Sequence, residues 1–155
     1  MMTASAMHTY ATRTEAHTAA RAWAQETAAV LVCPEIPLLG AYSVAENLAL
    51  VRQVQAGTPA WRAHPLAAAT LARAGLAHLG ACNAGGLAAR DTLAVKCLAA
   101  AMQPAGRVAI ACGGHMNDDA AELAAISRMI GLFADRWRRC DLFVEEARAG
   151  LIQVV

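Results

Sequence analysis

The chain has 155 residues, of which 57% are hydrophobic and 16% charged, with a formal net charge of +1. That is about one domain's worth of polypeptide with apolar content to spare for a core, and its charge balance leaves no electrostatic footprint for nucleic acid. No apolar run approaches the roughly 20 residues that span a bilayer, and the start, MMTASAMHTYATRTEAH, lacks the apolar stretch of a signal peptide, so a cytoplasmic protein without direct membrane insertion is expected.

Residues 1–13 read as a disordered or loosely ordered N-terminus. Thr14 to Ala28 suits a helix capped by Thr14, and Ala29–Val32 a short buried strand. Two prolines, Pro34 and Pro37, then force the chain out of the strand, because each removes a backbone donor and fixes φ. Ser43 and Glu46 form a capping-box pattern that opens a helix to about Gln55, closed by Gly57. A third helix is expected from about Pro65 to Ala74, and a fourth from Leu87 to Met102, with Leu87, Val95, Leu98 and Met102 on one face. Pro104 and Gly106 end it before a strand at Val108–Ala111. A helix over Asn117–Gly131 follows, with Asp118, Asp119 and Glu122 in its first turns, where acids suit the positive end of the helix dipole. Cys140–Val144 and Leu151–Val155 complete the strand candidates. Alternating helices and short apolar strands imply an α/β fold, helix-rich, with a small, mostly parallel sheet of three or four strands.

The five cysteines, Cys33, Cys82, Cys97, Cys112 and Cys140, include no CxxC pair and read as reduced, buried thiols. His78 and Cys82 have helical spacing with Gly80 between them, and no metal site is expected. His8 and His17 read as solvent-exposed. Arg136, Arg138 and Arg139 read as a solvated helix end, and the Trp residues 23, 61 and 137 are too scattered for a stacking platform.

The turn Cys112-Gly113-Gly114-His115 follows a strand and precedes a helix, which is where α/β proteins place their chemistry. A cysteine there can be activated by a helix N-terminus and act as a nucleophile, with His115 beside it. The plainer reading is a small buried thiol at a glycine-rich turn, since no acid–histidine pair stands out.

Three stretches look like the later part of an ABC-transporter ATPase domain: VLVCPEIPLLGAYSVAENLAL at 30–50, LARAGLAHLGACNAGGLAARDTLAVKCLAAAMQP at 71–104, and VAIACGGHMNDD at 108–119. In order they resemble the strand and Q-loop with its following helix, the signature loop and its helix, and the Walker B strand with the D-loop. The resemblance implies one such domain over 14–155 with a helical subdomain at about 43–103. Gly85 and Gly86 would be signature remnants, and Asp119 the D-loop acid.

The departures concern chemistry. No Walker A phosphate loop GxxxxGK[ST] can be written, and the single lysine is Lys96, mid-helix. Pro34 stands at the Q-loop glutamine, Cys112 and Gly113 at the Walker B acids, and no histidine follows His115 to serve as the switch. The family's first strands are also expected to be missing. The expectation is therefore a non-catalytic, cofactor-free, ABC ATPase-like protein working through protein–protein contact. It would be an accessory or regulatory transporter subunit peripheral to the inner membrane, or a self-associating chain. Ile36, Leu38, Leu39 and Tyr42 are its candidate docking residues. The alternative is a cysteine-dependent α/β enzyme centred on Cys112 and His115.

Overall fold

A computed structural model of the chain describes residues 4–104 and 106–152. In chain order the elements are β1 (Ala4–Tyr10), α1 (Arg13–Thr27), β2 (Val30–Val32), α2 (Val44–Ala56), α3 (Ala60–Arg73), α4 (Ala89–Ala101), β3 (Arg107–Ala111), α5 (Asp119–Phe133), β4 (Arg139–Glu145) and α6 (Glu146–Ala149). Short 3-10 turns lie at Ala77–Leu79 and Ala84–Gly86. The fold is α/β and helix-rich, and all strand pairs of its four-stranded sheet are parallel, in the order β1-β4-β3-β2. The chain divides into two compact units, Met1–Ile36 with Ala105–Val155, and Pro37–Pro104.

The first unit holds the sheet. The connection from β1 to β2 crosses the sheet one way, and those from β2 to β3 and β3 to β4 step back, so right-handed crossovers put α1 and α5 on opposite faces. Alternation along the strands sorts the side chains: Ala109, Ala111 and Phe143 face α1, while Val108, Ile110, Leu142 and Val144 face the other way. Ala16, Ala20 and Ala24 recur every fourth residue of α1 and are buried against Cys33, Ala109, Ala111 and Phe143. Small side chains on both surfaces let the helix lie close to the sheet, which gives the abundant alanine a packing role.

The N-terminal expectation is corrected here. Ala4–Tyr10, read as unstructured within 1–13, is a seven-residue strand in register with Arg139–Glu145 along its length. Its sequence lacks a β-branched run, so the partner strand supplies the ordering. Correspondingly, α1 is capped by Thr12 rather than Thr14: the Thr12 hydroxyl accepts from the Glu15 amide and the Glu15 carboxylate accepts from the Thr12 amide. The strand expected at Leu151–Val155 is not seen at Leu151, which lies in a turn after α6, and residues 153–155 lie outside the described residues.

The second unit is helical. The Ser43–Glu46 capping box opens α2, and Gly57, at φ +60°, closes it. Asn47 is buried and ties down the preceding loop, accepting from the Leu39 amide at 2.8 Å and donating to the carbonyls of Leu39 and Ser43, each at 3.0 Å. Helix α3 begins at Ala60, five residues before the expected start, and carries Pro65 within it. The missing Pro65 N–H costs one helical hydrogen bond, which the buried Ala63, Ala67 and Leu71 stripe outweighs.

Candidate functional site

The C-terminal ends of parallel strands are where α/β folds place ligands. Here β3 runs into Cys112-Gly113-Gly114-His115. Gly113 and Gly114 both have φ +94°, a left-handed conformation that a side chain resists. A Cβ on Gly113 would stand 2.7 Å from Arg148 Nη1 and 3.1 Å from Arg13 Nε. The turn is held from α5. Glu122, in the first turn of α5 as expected, is only 1% exposed, and its carboxylate accepts from the backbone amides of Gly113 and Met116. Asp118 caps α5 by accepting from the Ala121 amide.

Cys112 and His115 are brought to this turn as the sequence requires, but the thiol is fully buried. Its Sγ lies 3.7 Å from the Ile110 carbonyl, and His115 Nε2 lies 2.9 Å from the Ala111 carbonyl. A nucleophile needs exposure to its substrate, and this thiol has none.

His17 corrects its sequence reading: it is buried, not solvent-exposed. It lies one position along α1 from the buried alanine stripe, so its ring turns inward. Nε2 lies 3.1 Å from the Cys112 carbonyl and Nδ1 2.9 Å from the Glu35 carboxylate. Both ring nitrogens face oxygen acceptors, and the tautomer sets which of them donates. Partial burial works to raise the Glu35 pKa, but the His17 hydrogen bond and the local backbone and Cys33 hydrogen bonds prevail and hold it down at about 2, from an ordinary 4.5. Burial pushes the neighbouring Cys33 thiol up.

Beside this pair lies a cleft of about 380 Å³ lined by Arg13, Thr14, His17, Thr18, Arg21 and Glu35. On the other side of the glycine turn, Arg148 Nε meets the Asp119 carboxylate at 2.8 Å and Nη1 lies 3.2 Å from Glu145. Asp119 is thereby committed to an ion pair.

A third polar group sits at the β1–β4 pair. Asp141 is fully buried and takes two hydrogen bonds from the Arg139 guanidinium, at 2.9 and 2.8 Å, and contacts His8 Nε2 at 2.9 Å. Burial would raise its pKa, yet these partners hold it below the usual carboxylate value. Arg139, read as part of a solvated helix end, is instead in β4 and lies over the Trp23 ring.

The remaining sequence candidates fall elsewhere. Gly85 and Gly86 form a 3-10 turn before α4 in the helical unit, with the Gly85 amide donating to Asn83 Oδ1 at 2.9 Å. Ile36, Leu39 and Tyr42 are 50%, 48% and 49% exposed, while Leu38 is half-buried. No group of three or more His, Cys, Asp or Glu among the described residues is placed to hold a metal ion. Among the described residues no helix is long and apolar enough to cross a membrane.

Sequence reading missed Arg13, Arg21, Glu35, Glu122 and Arg148. The i, i+4 spacing of Arg13, His17 and Arg21 was the available signal; the other three are united only by tertiary contact. No protein-family model matches the chain, and none of the curated proteins compared with it is similar to it.

Proposed function

We propose that the chain is a non-catalytic, ABC ATPase-like protein that acts through protein–protein contact, as an accessory or regulatory subunit of a transporter complex or with a second copy of itself. The observation that carries this reading is the chemistry at the strand ends. The turn joining β1 to α1 consists of Ala11 and Thr12 alone. A strand–loop–helix phosphate cradle needs a longer glycine-rich loop and a lysine, and the only lysine, Lys96, lies in α4 of the helical unit. After β3, the positions that the resemblance assigns to a metal-holding acid and a general base carry a buried thiol and a glycine at φ +94°. The insertion of an all-helical unit between β2 and β3 supports the resemblance itself.

Contact with a partner is supported by exposed apolar side chains on ordered backbone. Leu39 is presented by a loop that Asn47 fastens through three hydrogen bonds. On α2 and α3, Val54 and Trp61 are 69% and 75% exposed. Strand β1 is an edge strand whose seven residues, ASAMHTY, include no lysine and no proline to discourage pairing. The test is calorimetric titration with Mg·ATP together with an ATPase assay and light scattering. No tight Mg·ATP binding and no turnover above background are expected. Tight Mg·ATP binding or turnover would overturn the reading, and a strictly monomeric chain would remove its self-association form.

A further inference from the structure

Helix α1 carries Arg13, His17 and Arg21 at four-residue spacing, so their side chains lie along one side of the helix over roughly 12 Å, with His17 buried and the two arginines exposed. With Thr14, Thr18 and Glu35 they line the cleft of about 380 Å³, a size in the range of small-molecule sites. Neither Arg13 nor Arg21 has a hydrogen-bond or ion-pair partner among the described residues. The acids that could neutralise them are committed: Glu35 to His17, and Asp119 and Glu145 to Arg148. Arg13 is also positioned, because its side chain lies against both Gly113 and Gly114, where any Cβ would crowd it. The cleft thus gathers two unneutralised guanidinium forks and two hydroxyls around a carboxylate already bonded to an imidazole.

We infer that this cleft binds a small oxyanion of the phosphoryl class, through arginine side chains and not through a backbone phosphate loop. Guanidinium forks match the geometry of phosphate oxygens. Two forks and two hydroxyls offer more donors than one carboxylate can accept, and a phosphoryl group, with three acceptor oxygens, uses them better. The inference concerns binding alone and stands apart from the proposed protein–protein role.

The experiment is calorimetric titration of the full chain with inorganic pyrophosphate at low salt, using the wild type, Arg13→Gln, Arg21→Gln, and Arg62→Gln on α3 as a control. Saturable binding that weakens with added salt is expected, reduced by about tenfold or more in each cleft variant and unchanged in Arg62→Gln. A second titration with ADP should give an affinity close to that of pyrophosphate, because the cleft reads the phosphoryl charge. No saturable pyrophosphate binding, or binding indifferent to both cleft variants, overturns the inference. Equal affinity for succinate overturns its phosphoryl assignment. ADP binding that survives both cleft variants places nucleotide elsewhere and overturns it as well.

Discussion

Glu122 and Gly113 stand nine residues apart, and the buried carboxylate of the first accepts the backbone amide of the second while also taking the amide of Met116. One side chain on the first turn of α5 therefore fixes the turn that leaves β3. Glu122→Ala would strand two donors in a dry setting, and each unsatisfied buried group costs about 1–3 kcal/mol. A loss of about 2–4 kcal/mol in urea unfolding is expected, with Glu122→Gln recovering part of it through its remaining carbonyl oxygen. A Glu122→Ala protein as stable as the wild type would show that the turn does not depend on this carboxylate.

Gly113 itself is constrained twice, by its φ of +94° and by the Arg148 and Arg13 guanidinium groups packed where a Cβ would go. Gly113→Ala should destabilise by about 1–3 kcal/mol. Gly86→Ala should be nearly silent, since no positive φ constrains that residue and nothing lies within 4 Å of its added Cβ. Thermal melts of the two variants side by side check the contrast, and equal shifts would refute it.

Acid should loosen the link between α1 and the loop after β2. The folded-state pKa of Glu35, about 2, lies below its ordinary 4.5, so its contribution is complete above about 4.5 and disappears as pH falls toward 2. The Glu35 side chain is about half exposed, so solvent screening keeps the effect small. The stability gap between wild type and Glu35→Gln should therefore narrow steadily across that interval. A gap that is constant from neutral pH down to the acid limit would rule out the His17–Glu35 bond as its source. Asp141, lowered in the same direction, adds a further acid-sensitive contribution.

Thiol accessibility separates the packing role of Cys112 from a catalytic one. Cys33, Cys97, Cys112 and Cys140 are buried and Cys82 is exposed. Burial pushes the Cys97 thiol up to about 12. Alkylation of the native protein should label Cys82 promptly and the other four only on unfolding. Rapid, selective labelling of Cys112 at neutral pH would restore the cysteine-enzyme alternative.

Loss of the loop anchor makes the last contrast. Asn47→Ala removes three hydrogen bonds to the segment that presents Leu39, and leaves the Leu39 amide without its acceptor. A destabilisation of about 1–3 kcal/mol is expected, accompanied by faster amide exchange at Leu39. Unchanged exchange there would show the loop to be ordered by other contacts.

Local patterns determined a good deal of this protein. The Ser43–Glu46 capping box, the Gly57 stop and the apolar runs of β2, β3 and β4 are written in neighbouring residues, because caps and periodicity act over a few positions. The Thr12–Glu15 capping box was legible by the same rule, although Thr14 competes for the role. Tertiary structure decided the rest. Ala4–Tyr10 becomes a strand only because β4, more than 120 residues later in sequence, offers it a row of donors and acceptors. Glu122 and His17 have the spacing of surface residues, and their burial follows from backbone groups of a distant turn that need partners away from water. The arginines of the α1 cleft follow the same logic: helical spacing aligns them, and only the folded chain shows that the surrounding acids are already engaged.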